Sequence, residues 1–170
     1  MTTIFEPRAL TSSSRRAGLN ERNSMSARSP RIAAARAAVF GLRERGARVT
    51  VLNRTVARAE AIARELGAER AGPLESLAEL EWDVLVNTTS VGLRSDASPV
   101  VASALRPNSV VFDAVYEPAE TRLLRDARAR GARTVGGKWM LVEQALEQIR
   151  IWTGQTAPLE VLAQAFDLVA

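Results

Sequence analysis

The chain has 170 residues, with 23 Lys and Arg, 19 Asp and Glu, and no cysteine or histidine. Disulfides, thiolate nucleophiles, Cys- or His-bound metals and a histidine general base are thereby excluded. The net charge of +4 suggests nucleic acid, but residues 1–31 hold six arginines against Glu6 and Glu21, while residues 32–170 balance at 17 basic and 17 acidic. No basic footprint therefore marks the folded part.

At 46% hydrophobic and 25% charged, the composition suits one ordinary globular domain with an appendage. No apolar run approaches the roughly 18 residues of a membrane span, and no convincing signal segment stands out, so the cytoplasm is the default location. Residues 1–31 read as disordered, being rich in Arg, Ser, Ala and Asn. A targeting peptide, a tail for acidic partners, or a GC-rich gene read out of frame would each give this composition; the last ranks first.

From Ile32 to Arg45 the pattern is helical and Ala-rich, with Val39, Phe40 and Leu42 on its apolar face and Gly46 as its stop. Val49-Thr50-Val51-Leu52 reads as a strand. It feeds a helix over Val56–Leu66, closed by Gly67. Ala68–Ala71 suggests a short strand, and Pro73–Leu80 a turn or short helix. Trp82–Asn87 is a second strand, apolar as buried parallel strands are, and runs into the small polar loop Asn87–Gly92. A short helix is expected over Pro99–Leu105, a third strand over Ser109–Tyr116, and a helix over Ala119–Arg130. Arg133–Val135 is a last short strand, followed by helices over Met140–Trp152 and Pro158–Val169. Strands alternating with helices predict an α/β fold with a parallel sheet and right-handed crossovers.

The polar triplet Asn53-Arg54-Thr55 follows a strand directly, at the edge where ligands bind in open parallel sheets. An NAD-preferring domain usually carries Asp or Glu there, to accept from the ribose 2′-OH. Asn53 carries no charge to repel a phosphate. Arg54 offers a fork suited to phosphate, Thr55 a hydroxyl, and Arg58 a second guanidinium one turn on. The helix N-terminus adds partial positive charge. The set points to a 2′-phosphate and hence to NADP; a surface turn with an exposed arginine is the equal alternative.

From about Ala34 onward the chain resembles the NADP-binding, C-terminal half of shikimate dehydrogenases. Four motifs carry the resemblance: Asn53-Arg54-Thr55 with Arg58; Asn87-Thr88-Thr89-Ser90-Val91-Gly92; Asp113-Ala114-Val115-Tyr116-Glu117-Pro118 with Thr121, Leu123 and Leu124; and Gly137 through Met140-Leu141-Val142 to Gln144, then Trp152-Thr153-Gly154. The resemblance implies a Rossmann-like domain over 32–170. It implies an oxidoreductase that interconverts shikimate and 3-dehydroshikimate with NADP in the chorismate pathway of aromatic amino-acid biosynthesis. It implies that Asn53, Arg54, Thr55 and Arg58 cradle the 2′-phosphate. Asn87, Thr88, Thr89 and Ser90 would line the cofactor, with Ala114, Gly137 and Met140 beside the nicotinamide. Tyr116 and Gln144 would meet the hydroxyls of shikimate. Without the resemblance, Tyr116 reads as a strand-end residue packing a sheet edge and Gln144 as an exposed helix residue.

Two departures qualify the resemblance. The family's Gly-rich turn falls here on Pro30-Arg31-Ile32-Ala33, and no apolar strand precedes it, so the first, central strand is expected to be missing or altered. The family's N-terminal half, with its catalytic Lys and Asp, has no counterpart in residues 1–31. Lys138, the single lysine, does not match that motif and reads as a solvated loop residue, so no catalytic residue is assigned. The expectation is a truncated cofactor-binding half with little activity alone, able to work with a separate substrate-domain chain or as a homodimer. The rivals are a quinate/shikimate dehydrogenase, a non-catalytic nucleotide-binding or interaction module, and a non-functional fragment.

Overall fold

The structure, a computed structural model, describes residues 2–6 and 30–169. It divides into two compact units, residues 1–88 and 89–170, each with the α/β character expected of a Rossmann-like chain.

In the first unit, strand β1 (Thr2–Glu6) stands apart in sequence from helix α1 (Pro30–Glu44). Helix α1 buries Ala35 and Val39, four residues apart and so on one face. A short turn reverses the chain into β2 (Arg48–Leu52), the Ala47 amide donating to the Leu42 carbonyl at 3.1 Å. Helix α2 (Val56–Leu66) ends at Gly67, whose φ of 69° puts it in the left-handed cap conformation that glycine adopts without strain. Strand β3 (Arg70–Gly72) lies parallel to β2, with Leu52 opposite Gly72. A 3₁₀ turn over Leu74–Glu79 then leads to β4 (Val84–Asn87).

The core of this unit is Val39, Val49, Val51, Ala59, Ile62 and Ala63, with Ile32, Leu42 and Leu66 packed against it. Burying each of the larger members contributes about 1.5–3 kcal/mol. The βα turn after Leu52 is thus held rigidly at its base.

Residues 1–31 depart from expectation at their start. Thr2–Glu6 forms a strand between β2 and β4, antiparallel to both: Thr2 is opposite Leu52 and Asn87, and Phe5 opposite Val49 and Val84. The order β3-β2-β1-β4 in this unit is that of a Rossmann half. The central strand is therefore altered in direction and origin rather than absent. Two neighbouring strands with unpaired amides and carbonyls demand a partner, and five residues of extended chain meet that demand. Residues 7–29 lie outside the described residues. The helix expected from Ile32 begins at Pro30, where a missing N–H costs nothing.

The second unit contains a 3₁₀ turn (Ala102–Ala104), β5 (Val110–Asp113), α3 (Arg122–Ala129), β6 (Arg133–Val135), α4 (Lys138–Thr153) and α5 (Leu159–Val169). Strands β5 and β6 are parallel, with Val110 opposite Arg133. Leu123, Leu124 and Ala127 of α3 are buried, as are Leu105, Val111 and Val142. Helices α4 and α5 pack on each other. Strand β5 stops at Asp113, so Tyr116 is a loop residue rather than a strand end. The alternation continues past Asp113 because Val115 is buried, but its amide is taken by the Asp113 side chain instead of a strand.

Candidate cofactor and substrate sites

In the first unit the βα turn builds a cluster of donors. The Asn53 amide is tied to the Gly72 carbonyl at 3.0 Å, fixing the end of β2. The Asn53 side-chain oxygen accepts from the Thr55 amide, also at 3.0 Å. That oxygen is engaged within the turn, so Asn53 has its side-chain N–H groups left to offer a ligand. Thr55 precedes the first residue of α2 yet makes no side-chain cap bond, and the first turn of α2 has no acidic residue. Arg54 and Arg58 are exposed, and among the described residues neither makes an ion pair. The cluster comprises two guanidiniums, an amide, a hydroxyl and the positive end of α2. Its members donate to or attract an anion.

Asn87 and Thr88, which close this unit, are buried. Asn87 ends β4 opposite Thr2, as Leu52 ends β2 opposite the same residue. The carboxyl ends of β2 and β4 are thus two strand spacings apart, about 10 Å. Asn53 and Asn87 flank one edge of this unit.

In the second unit the remaining residues fall into three places. Thr89 accepts from the Val91 amide at 3.1 Å. Ser90 is half-buried, and its carbonyl accepts from the Leu93 amide at 3.1 Å. Ala114 and Gly137 are brought together: an ideal Cβ on Gly137 would stand 2.5 Å from the Ala114 carbonyl oxygen and 2.7 Å from the Val115 carbonyl carbon. Met140 lies in the first turn of α4, and Gln144 is exposed one turn later. Tyr116 is 44% exposed, and its ring meets Phe166 of α5 edge-to-face, with centroids 6.3 Å apart. Neither the Tyr116 hydroxyl nor the Gln144 amide has a hydrogen-bond partner among the described residues.

Lys138 differs from its reading as a solvated loop residue. It is the first residue of α4, and its ammonium binds both oxygens of Asp167 on α5, at 2.6 and 2.7 Å. Gly137 ends the preceding strand connection, so the helix starts immediately after it. Phe166 and Asp167 were not singled out in the sequence. They sit on a terminal helix whose own spacing gives no sign of what it touches. Among the described residues no group of carboxylates could hold a metal ion, and no helix is long and apolar enough to cross a membrane.

Comparison with known proteins adds the family context. The family described as Shikimate 5'-dehydrogenase C-terminal domain matches residues 137–165. Shikimate dehydrogenase (NADP(+)) from Natronomonas pharaonis is 49% identical over 134 residues, covering 78% of this chain and 51% of that protein. The crystal structure of shikimate 5-dehydrogenase from Thermus thermophilus, in complex with NADP(H) and shikimate, aligns at TM-score 0.75 and 39% identity. The alignment covers 81% of this chain and 52% of that one. Quinate dehydrogenase from Corynebacterium glutamicum, in complex with NAD, aligns at TM-score 0.69 and 28% identity, covering 77% and 50%. The chain spans about half the length of the curated relatives it matches.

Proposed function

We propose, from the premise that this chain is related to the C-terminal half of shikimate dehydrogenases, that it holds NADP(H) for the interconversion of shikimate and 3-dehydroshikimate. The observation that carries the reading is the donor cluster after β2. Asn53 carries no charge to repel a phosphate, and with its oxygen turned to the Thr55 amide its side-chain N–H groups remain to donate to one. Arg54, Thr55 and Arg58 add to it, and together they fit the adenosine 2′-phosphate of NADP rather than NAD. That favours a shikimate dehydrogenase over an NAD-linked quinate enzyme.

The rest of the dinucleotide fits less well. A pyrophosphate is ordinarily met by a glycine turn before the first crossover helix. Here that helix opens at Pro30, which has no N–H to give. The 2′-phosphate cluster therefore carries most of the affinity.

Bound NADP(H) would supply hydride chemistry. The chain's own residues position the reactants. Ala114 and Gly137 keep their side chains minimal where the ring would lie, with Met140 a turn further on. By resemblance, the loop from Asn87 to Ser90 lines the cofactor. Tyr116 and Gln144 offer a hydroxyl and an amide to the substrate's hydroxyls, a recognition that rejects analogues lacking them. The proton-transferring Lys and Asp belong, by resemblance, to the other half of the family's proteins. A separate substrate-binding chain would complete the site, and turnover by this chain alone is expected to be low. We place the protein in the cytoplasm, where NADP-linked biosynthesis occurs.

Calorimetric titration of the purified chain with NADPH and with NADH tests the reading. NADPH should bind more tightly, and Arg54→Ala should weaken NADPH about tenfold while leaving NADH unchanged. Equal affinity for the two cofactors, or an Arg54→Ala effect on both, would overturn it.

A further inference from the structure

The loop that carries Tyr116 is closed at both ends by one carboxylate. Asp113 is fully buried at the end of β5. One of its oxygens accepts from the Val115 amide at 3.0 Å, and the other accepts from the Thr121 hydroxyl at 2.6 Å. Thr121 is itself fully buried and caps α3, its hydroxyl accepting from the Leu124 amide at 3.4 Å. The entry to the loop, its exit and the start of the next helix are thus joined through a single side chain.

We propose that Asp113 and Thr121 are positioning residues for the Tyr116 phenol. This rests on the reading of Tyr116 as a substrate-facing residue. The chemistry calls for these types. A carboxyl group presents two oxygens on one short side chain, so it can accept from two donors at fixed separation. A threonine hydroxyl donates to the carboxylate and accepts from the helix amide in the same moment. The loop's far side is bounded by Gly137, whose backbone comes so near that a β-carbon there would stand 2.5 Å from the Ala114 carbonyl oxygen. Tyr116 stands one residue beyond Val115, so the clamp holds the backbone from which its ring reaches Phe166. A phenol that orients a substrate hydroxyl tolerates little displacement, because an error of about 1 Å costs roughly a hundredfold in rate.

Tyr116 is the single tyrosine of the chain, so its chemical reactivity can be read without interference. The rate of nitration by tetranitromethane, followed by intact mass below the melting point of each variant, reports how the ring is held. Thr121→Val keeps the shape and removes the hydroxyl; it should raise the rate about tenfold, as loss of one strong hydrogen bond implies. Thr121→Ser should restore the original rate. Asp113→Asn, which can serve only one of the two ends well, should fall between, and it decides the matter if Thr121→Val does not fold. Rates unchanged in Thr121→Val or Asp113→Asn, or equal acceleration in Thr121→Val and Thr121→Ser, would overturn the proposal. Protection of unsubstituted Tyr116 by shikimate, measured in the same assay, tests the underlying reading separately. Its absence would remove the substrate role and leave the clamp standing.

Discussion

Gly137 lies against Ala114 so closely that a β-carbon at position 137 would stand 2.5 Å from the Ala114 carbonyl oxygen. No real contact is that short, so something must move. The nearest atoms are backbone on both sides, and neither can rotate away. Gly137→Ala should therefore cost about 1–3 kcal/mol, the range of overpacking. That corresponds to a fall in Tm of several degrees, at about 2–4 °C per kcal/mol. Differential scanning calorimetry of the two proteins measures it; an unchanged Tm would show that the approach relaxes at no cost.

On the proposed reading, Asn53 is the uncharged residue that admits a 2′-phosphate where an NAD-preferring domain carries a carboxylate. Replacing it with Asp introduces charge where the 2′-phosphate is expected and offers an acceptor to a ribose hydroxyl. Asn53→Asp should weaken NADPH by about tenfold or more and narrow the gap to NADH. Competitive titration of the two cofactors reads the change. A variant that still prefers NADPH by the original margin would move the phosphate site elsewhere.

Arg36 of α1 and Glu65 of α2 form a two-pronged ion pair. The Arg36 hydrogen bond holds the Glu65 carboxyl below its ordinary value, against a smaller opposing effect of burial. A depressed folded value means that the stabilisation is complete above the unfolded carboxyl pKa and is lost as pH falls through the folded one. With Glu65 41% exposed, solvent screening reduces the pair to about 0.5 kcal/mol. Urea unfolding should find Glu65→Gln less stable by that amount at about pH 7 and indistinguishable at about pH 3. A gap that persists in acid would assign the loss to packing.

Strand β1 is joined to its neighbours by backbone pairing on both sides. Removing residues 1–6 would leave the facing edges of β2 and β4 open, beside buried Val49, Val51, Leu85 and Val86. Open apolar edges of this kind associate. Static light scattering should show the shortened chain aggregating where the full chain does not. A shortened monomer with the original Tm would mean that β1 contributes little to the first unit.

Helix α2 was legible to the residue, because Thr55 and Gly67 punctuate a clear helical period at both ends. The donor turn before it was legible for the same reason: strand, polar triplet and helix follow one another without a gap. The apolar pattern extends β5 by three residues at its carboxyl end and one at its amino end. Val115 keeps the apolar alternation, and nothing in the pattern says that a side chain, rather than a strand, takes its amide. Lys138 was misplaced because a helix that begins directly after glycine has no capping side chain to announce it. Asp113 and Thr121 were visible as motif residues, but a hydrogen bond between positions eight apart belongs to no period. The partnership of Thr2–Glu6 with β2 and β4 was the least accessible. Two threonines, an isoleucine and a phenylalanine are strand-prone, yet pairing across forty or more residues of chain leaves no local trace.

The direction of β1 bears on why the chain can do without a glycine turn. A parallel central strand delivers the backbone to the ligand edge and obliges it to fold back at once into the next helix, so every residue at that corner is sterically committed. Here Glu6 is opposite Arg48, and the chain leaves β1 at the far edge. Strand β1 therefore does not itself deliver the chain into α1 at the ligand edge. The helix can open on proline, without the tight strand-to-helix corner that a parallel central strand imposes. Glycine at that corner is thus a debt incurred by strand polarity, and reversing the strand cancels it.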